Sequence, residues 1–173
     1  MDKKEFAIWL AGFVDGEGSI GIARRNIGGK YQGYRVFFCI TNTNKEILEK
    51  IREFAGNIGY IRQHIKKKNS LLESNKSRFG KKETYDFALG KEQAKKFLKL
   101  IYPYLQVKKR QAELVINFPS QRHIPKTGKG KGAGRIIDWE TKKIQEKMYW
   151  ECRKLNGGTD RYKGIAKSTN EIV

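Results

Sequence analysis

The hydrophobic period of this chain switches from helical to extended and back, twice, and that alternation limits the possible folds more than any other feature. Apolar residues at Phe6, Leu10, Phe13 and Val14 have helical spacing over 3–14, and Asp2 with Glu5 three positions on suits a capping box. Ile20 and Ile22 then alternate with Gly21 and Ala23, while Tyr34, Val36, Phe38 and Ile40 share one parity. The glycine-rich "NIGGKYQG" between them predicts a hairpin. Helical spacing returns at Ile47, Ile51 and Phe54, with Thr43 and Glu46 as a second capping box. "IGYIRQHIKK" and "KETYDFALG" then predict a second strand pair, joined by a polar loop around 67–81. A helix from Lys91 to Tyr102 stops at Pro103, and another over 107–118 puts Val107, Gln111, Leu114, Val115 and Phe118 on one side.

The order α-β-β-α-β-β-α implies an α+β fold, a four-stranded antiparallel sheet with helices on one face. That core spans 1–118. Residues 119–173 form a C-terminal extension expected to pack on the same domain: a Gly/Lys-rich break, a helix over 137–155 with Ile137, Ile144, Met148, Cys152 and Leu155 in line, and a polar tail from Asn156. If Ile20, Ile22, Val36, Phe38, Ile61, Ile65, Tyr85, Phe87 and Leu89 face the helices, the alternate residues face out. Those are Ala23, Arg25, Arg35, Phe37, Arg62, His64, Lys66, Lys82, Thr84 and Asp86.

Charge gives that open face a meaning. Lys and Arg number 37 against 18 Asp and Glu, a net +19. Such a field attracts polyanions, nucleic acid above all, and a face mixing cations, hydroxyls and a carboxylate can grip phosphates and read base edges. Candidate DNA contacts are therefore Arg25, Tyr31, Arg35, Arg62, His64, Lys66, Lys82, Thr84 and Asp86. No apolar run is long enough to span a membrane and no signal-peptide pattern opens the chain, so a soluble intracellular protein is expected. Cys39 and Cys152 form neither a disulfide framework nor a paired metal motif.

The stretch "LAGFVDGEGSIGI", residues 10–22, holds two carboxylates and four glycines. Its "GEGSIG" has the spacing of a dinucleotide loop, but such a loop needs a strand before it and a helix after it, and here the order is reversed. "TGKGKGAG" lacks the Ser or Thr of a phosphate-binding P-loop. What remains is a helix ending at Asp15 and Glu17 between glycines that expose backbone carbonyls. Mg²⁺ accepts such hard oxygen ligands. Two such helices about a twofold axis would bring carboxylates together, which repel unless a cation intervenes, an arrangement suited to metal-assisted phosphodiester hydrolysis. Ile8, Ala11, Gly12 and Asp15 share the helix face that would form the contact.

"LAGFVDGEG" resembles the LAGLIDADG motif of the homing endonucleases, matching at Leu10, Ala11, Gly12, Asp15 and Gly18, with Gly16 in place of the motif's second alanine and Glu17 at the final acidic position. "PYLQVKKRQAELV", residues 103–115, is similar to the downstream segment of that family, and the element order is the same, so the resemblance covers about 5–118. It implies a saddle-shaped sheet over the DNA major groove and cleavage across the minor groove with short 3′ overhangs. Glu17 matches the metal-binding catalytic carboxylate, and the Gly16 backbone carbonyl the second ligand, with Asp15 in support. Lys108 matches the basic residue near the scissile phosphate. Asn42 matches a polar residue, often Gln, that positions water, although "TNTN" also suits a helix-entry turn. Glu for the commoner Asp at 17 is within the family's range, and the segment 126–134 has no counterpart.

One copy of the motif implies a homodimer on a near-palindromic double-stranded DNA target. The resemblance also implies Mg²⁺ as cofactor, with Mn²⁺ as a substitute and Ca²⁺ supporting binding without cleavage. It implies, too, a free-standing intron-encoded enzyme of an organelle (chloroplast or mitochondrion) or of a prokaryotic cytoplasm. A maturase binding intron RNA, or a non-cleaving module of the same fold, is the alternative. Glu140-Thr141-Lys142 as the E-x-K element of another nuclease class is a third, though a lysine-rich chain produces such triplets by chance. The charge itself makes one prediction: DNA affinity should fall by about 0.9 log units per log unit of salt for each phosphate neutralised. A fluorescence-anisotropy salt titration checks this, and a flat line would rule out an extended basic interface.

Overall fold

The computed structural model describes residues 1–27, 30–64, 83–120, 123–124 and 136–158. Among the described residues, five helices lie over one main sheet: α1 (Lys3–Glu17), β1 (Gly18–Ile27), β2 (Lys30–Asn42), α2 (Lys45–Phe54), β3 (Tyr60–His64), β4 (Thr84–Gly90), α3 (Lys91–Ile101), a 3₁₀ turn (Tyr102–Tyr104), α4 (Lys109–Ile116) and α5 (Trp139–Leu155). A two-residue ribbon, β5 (His123–Ile124) with β6 (Ile136–Ile137), precedes α5. The four long strands run β1-β2-β4-β3, every neighbour antiparallel. This is the α+β architecture the sequence period predicts.

Local chemistry starts and stops the elements. The α1 capping box forms, Glu5 N–H donating to Asp2 Oδ1 at 2.8 Å and Asp2 N–H to Glu5 Oε2 at 2.7 Å. At α2 the cap is Asn44, whose Oδ1 accepts the Ile47 N–H, and not the expected Thr43. A helix passes straight into a strand at Gly18, where a Cβ would come within 2.6 Å of the Val14 carbonyl oxygen, so only glycine permits the junction.

The core lies between the sheet's inner face and the helices. Ile20, Ile22, Val36, Phe38, Ile40, Phe87 and Leu89 are buried from the sheet side, meeting Leu10, Val14, Leu48, Ile51, Phe97, Leu98 and Ile101. Phe38, Phe87 and Phe97 make a ring cluster, with Phe38 and Phe97 centroids 4.7 Å apart. Expected inward residues Ile61 and Tyr85 are half-buried; Ile65 lies outside the described residues.

Two helical faces differ from expectation. Val107 precedes α4 and is 73% exposed, because the chain there is still a loop. On α5 the buried residues are Gln145, Tyr149 and Cys152, while Ile144 and Leu155 are exposed. Of the expected apolar line, Cys152 is buried and Met148 packs on the core, while Ile144 and Leu155 fall outside because α5 packs on an edge strand that it satisfies with polar and aromatic groups. Asn156 Nδ2 donates to the Ile20 carbonyl at 3.0 Å, and the Ile22 N–H meets the Cys152 thiol, whose pKa burial pushes up. The Arg24 guanidinium lies 5.1 Å from the ring centroids of both Tyr149 and Trp150, and Tyr34 packs on Tyr149. Contacts thus recur at every second residue of β1, so α5 fastens onto the sheet. Among the described residues, no helix is long and apolar enough to cross a membrane.

Phe38→Ala should cost about 3–5 kcal/mol of stability, through lost burial and a cavity among three rings. Val107→Ala should stay within about 0.5 kcal/mol. Urea unfolding of both variants measures the contrast.

Candidate active site and nucleic-acid interface

The end of α1 and the start of α4 meet, although they are more than ninety residues apart in sequence. Asp15 lies in the last turn of α1. Its Oδ2 accepts the Gln106 N–H at 2.8 Å and the Val107 N–H at 3.1 Å, and its Oδ1 accepts the Lys108 N–H at 2.8 Å. Three successive N–H groups thus form a nest around one carboxylate. Partial burial pushes the Asp15 pKa up, but the three N–H bonds and the nearby Lys108 charge outweigh it, and the carboxyl is held below its ordinary value. The observed partners of Asp15, expected as a supporting metal ligand and an interface residue, are therefore backbone groups of its own chain.

Lys108 returns the interaction. Its Nζ donates to the Asp15 carbonyl at 2.8 Å and the Val14 carbonyl at 3.1 Å, and lies 3.5 Å from the Gly16 carbonyl oxygen. Glu17, the last residue of α1, is exposed and makes no hydrogen bond or ion pair among the described residues. A free carboxylate beside an exposed carbonyl is a hard-oxygen donor set that fits Mg²⁺, with its remaining positions left to water or phosphate. It is not a complete cage: among the described residues no three His, Cys, Asp or Glu side chains cluster as a metal site. Asn42 does not join this group through a shown contact. Its Oδ1 accepts the Asn44 N–H at 2.8 Å in the turn that opens α2.

The expected contact face of α1 is only partly available. Ala11 is fully buried against the protein's own core, so its assignment to an interface between chains is corrected; a small residue on a helix suits either surface. Ile8 is 48% exposed, and Gly12 and Gly16, one helical turn apart, are exposed with nothing within 4 Å of where a Cβ would stand. Trp9 stacks on Phe13 beside them.

On the sheet's outer face, register sets Arg62 opposite Asp86, Thr41 opposite Asp86, and Ala23 opposite Arg35. Arg35 and Arg62 are exposed, as is Arg25 at a register shift in β1; Thr84 and Asp86 are half-buried. Thr41 Oγ1 donates to Asp86 Oδ1 at 2.6 Å, and the Arg62 guanidinium lies over the Tyr60 ring. Phe37 lies over Gly21, where a Cβ would come within 2.7 Å of the ring. Thr41, Cys39 and Tyr60 belong to this face and were missed as candidates, although they share the parity of Phe37 and Arg62. The side chains of Tyr31 and His64, and Lys66 and Lys82 entirely, lie outside the described residues, as do 67–81 and 126–134.

A helix ending in an exposed carboxylate, a lysine at its carbonyls and an open basic-and-polar sheet face sit together on a scaffold of αββαββα type. Residues 10–87 match the family model described as LAGLIDADG endonuclease, which bears out the resemblance read from the sequence. The chain is similar to the homing endonuclease I-CvuI, solved with the I-CreI target and 2 mM Mg, DNA not cleaved, at 26% identity and a TM-score of 0.52 over 67% of this chain and 66% of that one. A second I-CvuI structure, with its own target and 2 mM Ca, aligns over 91% of this chain and 98% of that one at 22% identity and a TM-score of 0.52. An archaeal intron-encoded homing endonuclease, I-Vdi141I, bound to DNA, aligns at 24% identity over 66% of each chain, with a TM-score of 0.48. No curated protein matches in sequence.

Because Asp15 is held below its ordinary pKa, it binds fewer protons folded than unfolded near pH 4. Its contribution is therefore present above the unfolded carboxyl range and lost as pH falls through the lowered folded value. Asp15→Asn should be less stable than the parent by about 1–2 kcal/mol at pH 7, and the gap should close from about pH 5 downward. Urea unfolding across a pH series tests this; a gap that persists at pH 2 would refute the ionic clamp.

Proposed function

We propose that the protein is a site-specific double-stranded DNA endonuclease that acts as a homodimer and hydrolyses one phosphodiester in each strand with divalent metal. The observation carrying this reading is Glu17, exposed and without a partner among the described residues, next to the Gly16 carbonyl, with the Lys108 ammonium 3.5 Å from that carbonyl. Glu17 and the Gly16 carbonyl would hold Mg²⁺, or Mn²⁺ in its place, and Ca²⁺ would support binding without cleavage. The bound ion supplies charge neutralisation at the phosphodiester and a more acidic water. Lys108 stabilises negative charge on the reacting phosphate, and Asp15 acts through Lys108 by fixing the loop that carries it. The Asn42 amide, still able to donate from its nitrogen, orients water at the end of β2.

Stoichiometry and shape support homodimerisation. One chain supplies one such carboxylate, and Ile8, Gly12 and Gly16 leave a flat stripe on α1 where a second α1 can approach closely. The outer sheet face binds DNA through Arg25, Arg35, Arg62, Thr84 and Asp86, a reading supported by the DNA complexes of I-CvuI. Twofold symmetry selects a near-palindromic target, and cuts across the minor groove leave short 3′ overhangs. The gene context that fits is an intron of an organelle or a prokaryote.

The direct experiment incubates the DNA flanking the reading frame, with the exons fused, with the protein in Mg²⁺ and then in Ca²⁺. The expected outcome is one Mg²⁺-dependent double-strand break near the junction, with Glu17→Gln binding the same DNA but not cutting it. A Glu17→Gln variant that cuts at the parental rate would remove Glu17 from the reaction. Tight binding without a cut, together with faster splicing of the intron RNA, would make the protein a maturase.

A further inference from the structure

The carbonyl end of a helix carries partial negative charge and unsatisfied acceptors. α1 has no basic residue in its own last turn. That charge is met from more than ninety residues away, by the Lys108 ammonium at the carbonyls of Val14, Asp15 and Gly16. The backbone that carries this ammonium is held in place, since the Lys108 N–H is bonded to Asp15 at 2.8 Å, with Gln106 and Val107 on the same carboxylate. Metal–oxygen bonds are about 2.1–2.5 Å long, so a divalent ion on the Gly16 carbonyl would stand within roughly 6 Å of Nζ.

We propose that Lys108 is a resident cation at the carbonyl end of α1, competing with a divalent ion for the same negative helix terminus. The inference rests on the reading that Glu17 and Gly16 hold that ion. In the DNA-free protein the ammonium opposes metal loading. An anion that draws Lys108 away, a phosphodiester above all, removes the opposition, so nucleic acid and metal strengthen each other's binding, as linkage requires. Lys108 thus suppresses metal loading until a phosphate is in place, in addition to any role in the reaction.

The test is calorimetric titration of Mn²⁺ into the full-length, DNA-free protein, with thermal unfolding to establish that each variant is folded. Lys108→Met and Lys108→Gln should each bind Mn²⁺ on the order of tenfold more tightly than the parent, through removal of a nearby like charge. Lys108→Arg should remain near the parent. Lys109→Met removes the same unit of charge from a lysine that lies over the Tyr102 ring, and it should leave Mn²⁺ affinity unchanged. The proposal is overturned if the Met and Gln variants bind no more tightly than the parent, or if Lys109→Met tightens binding equally. Glu17→Gln separates the two layers. If it weakens Mn²⁺ binding while the Lys108 variants behave like the parent, the metal site stands and the competition falls. If it leaves Mn²⁺ binding unchanged in both the parent and the Lys108→Met background, the metal assignment itself falls, and the inference with it.

Discussion

The bond from Asp15 to the loop before α4 is the constraint on which the rest of the site depends. It joins a helix end to a loop that no local force would bring there, and it does so with three N–H groups on one carboxylate. The lysine side chain then crosses back to the carbonyls of the same helix turn. Both acceptor groups of one residue are thereby satisfied from the same loop: the Asp15 side chain receives backbone donors, and its carbonyl receives an ammonium. Glu17, two residues on, is left with nothing to neutralise it inside the described chain.

The sheet under this site has two faces with separate duties. Its inner face is a continuous apolar layer closed by Phe38, Phe87 and Phe97. Its outer face is polar, and the Thr41–Asp86 bond with the Arg62–Tyr60 contact organises part of it before any partner arrives. Arg24 and Arg25 separate the two: Arg24 turns to the aromatic rings of α5 while Arg25 is exposed at the register shift. The hairpin that carries Arg25 and Arg35 is therefore braced from behind by the C-terminal helix.

The element order was legible because the apolar period changes at each boundary, and residues such as Ile20, Ile22, Val36 and Phe38 are inward by parity alone. The junction of helix and strand was marked by glycines with a steric reason at Gly18. The partners of Asp15 were not legible, since a contact across about ninety residues leaves no local signature. Ala11 was misplaced because a small residue on a helix reads equally as core or as a surface for close approach. The phase of α5 was misread because hydropathy favours Ile144 over Gln145. Yet Gln145 is buried with its Nε2 donating to the Pro119 carbonyl at 2.9 Å, and lysine-flanked Ile144 stays outside. At Asn42 the helix-entry turn that "TNTN" suits is present, its Oδ1 accepting the Asn44 N–H.

The way α5 meets β1 also makes the two ends of the sheet unequal. The Ile20 carbonyl and the Ile22 N–H, which would otherwise invite another extended chain, are taken up by Asn156 and Cys152. Lateral growth of the sheet is thus blocked at the β1 margin, and the opposite margin is β3. A protein with so large a positive charge must resist sticking to its own kind while being drawn to polyanions, and sealing a strand edge with side chains achieves the first without spending any of the second.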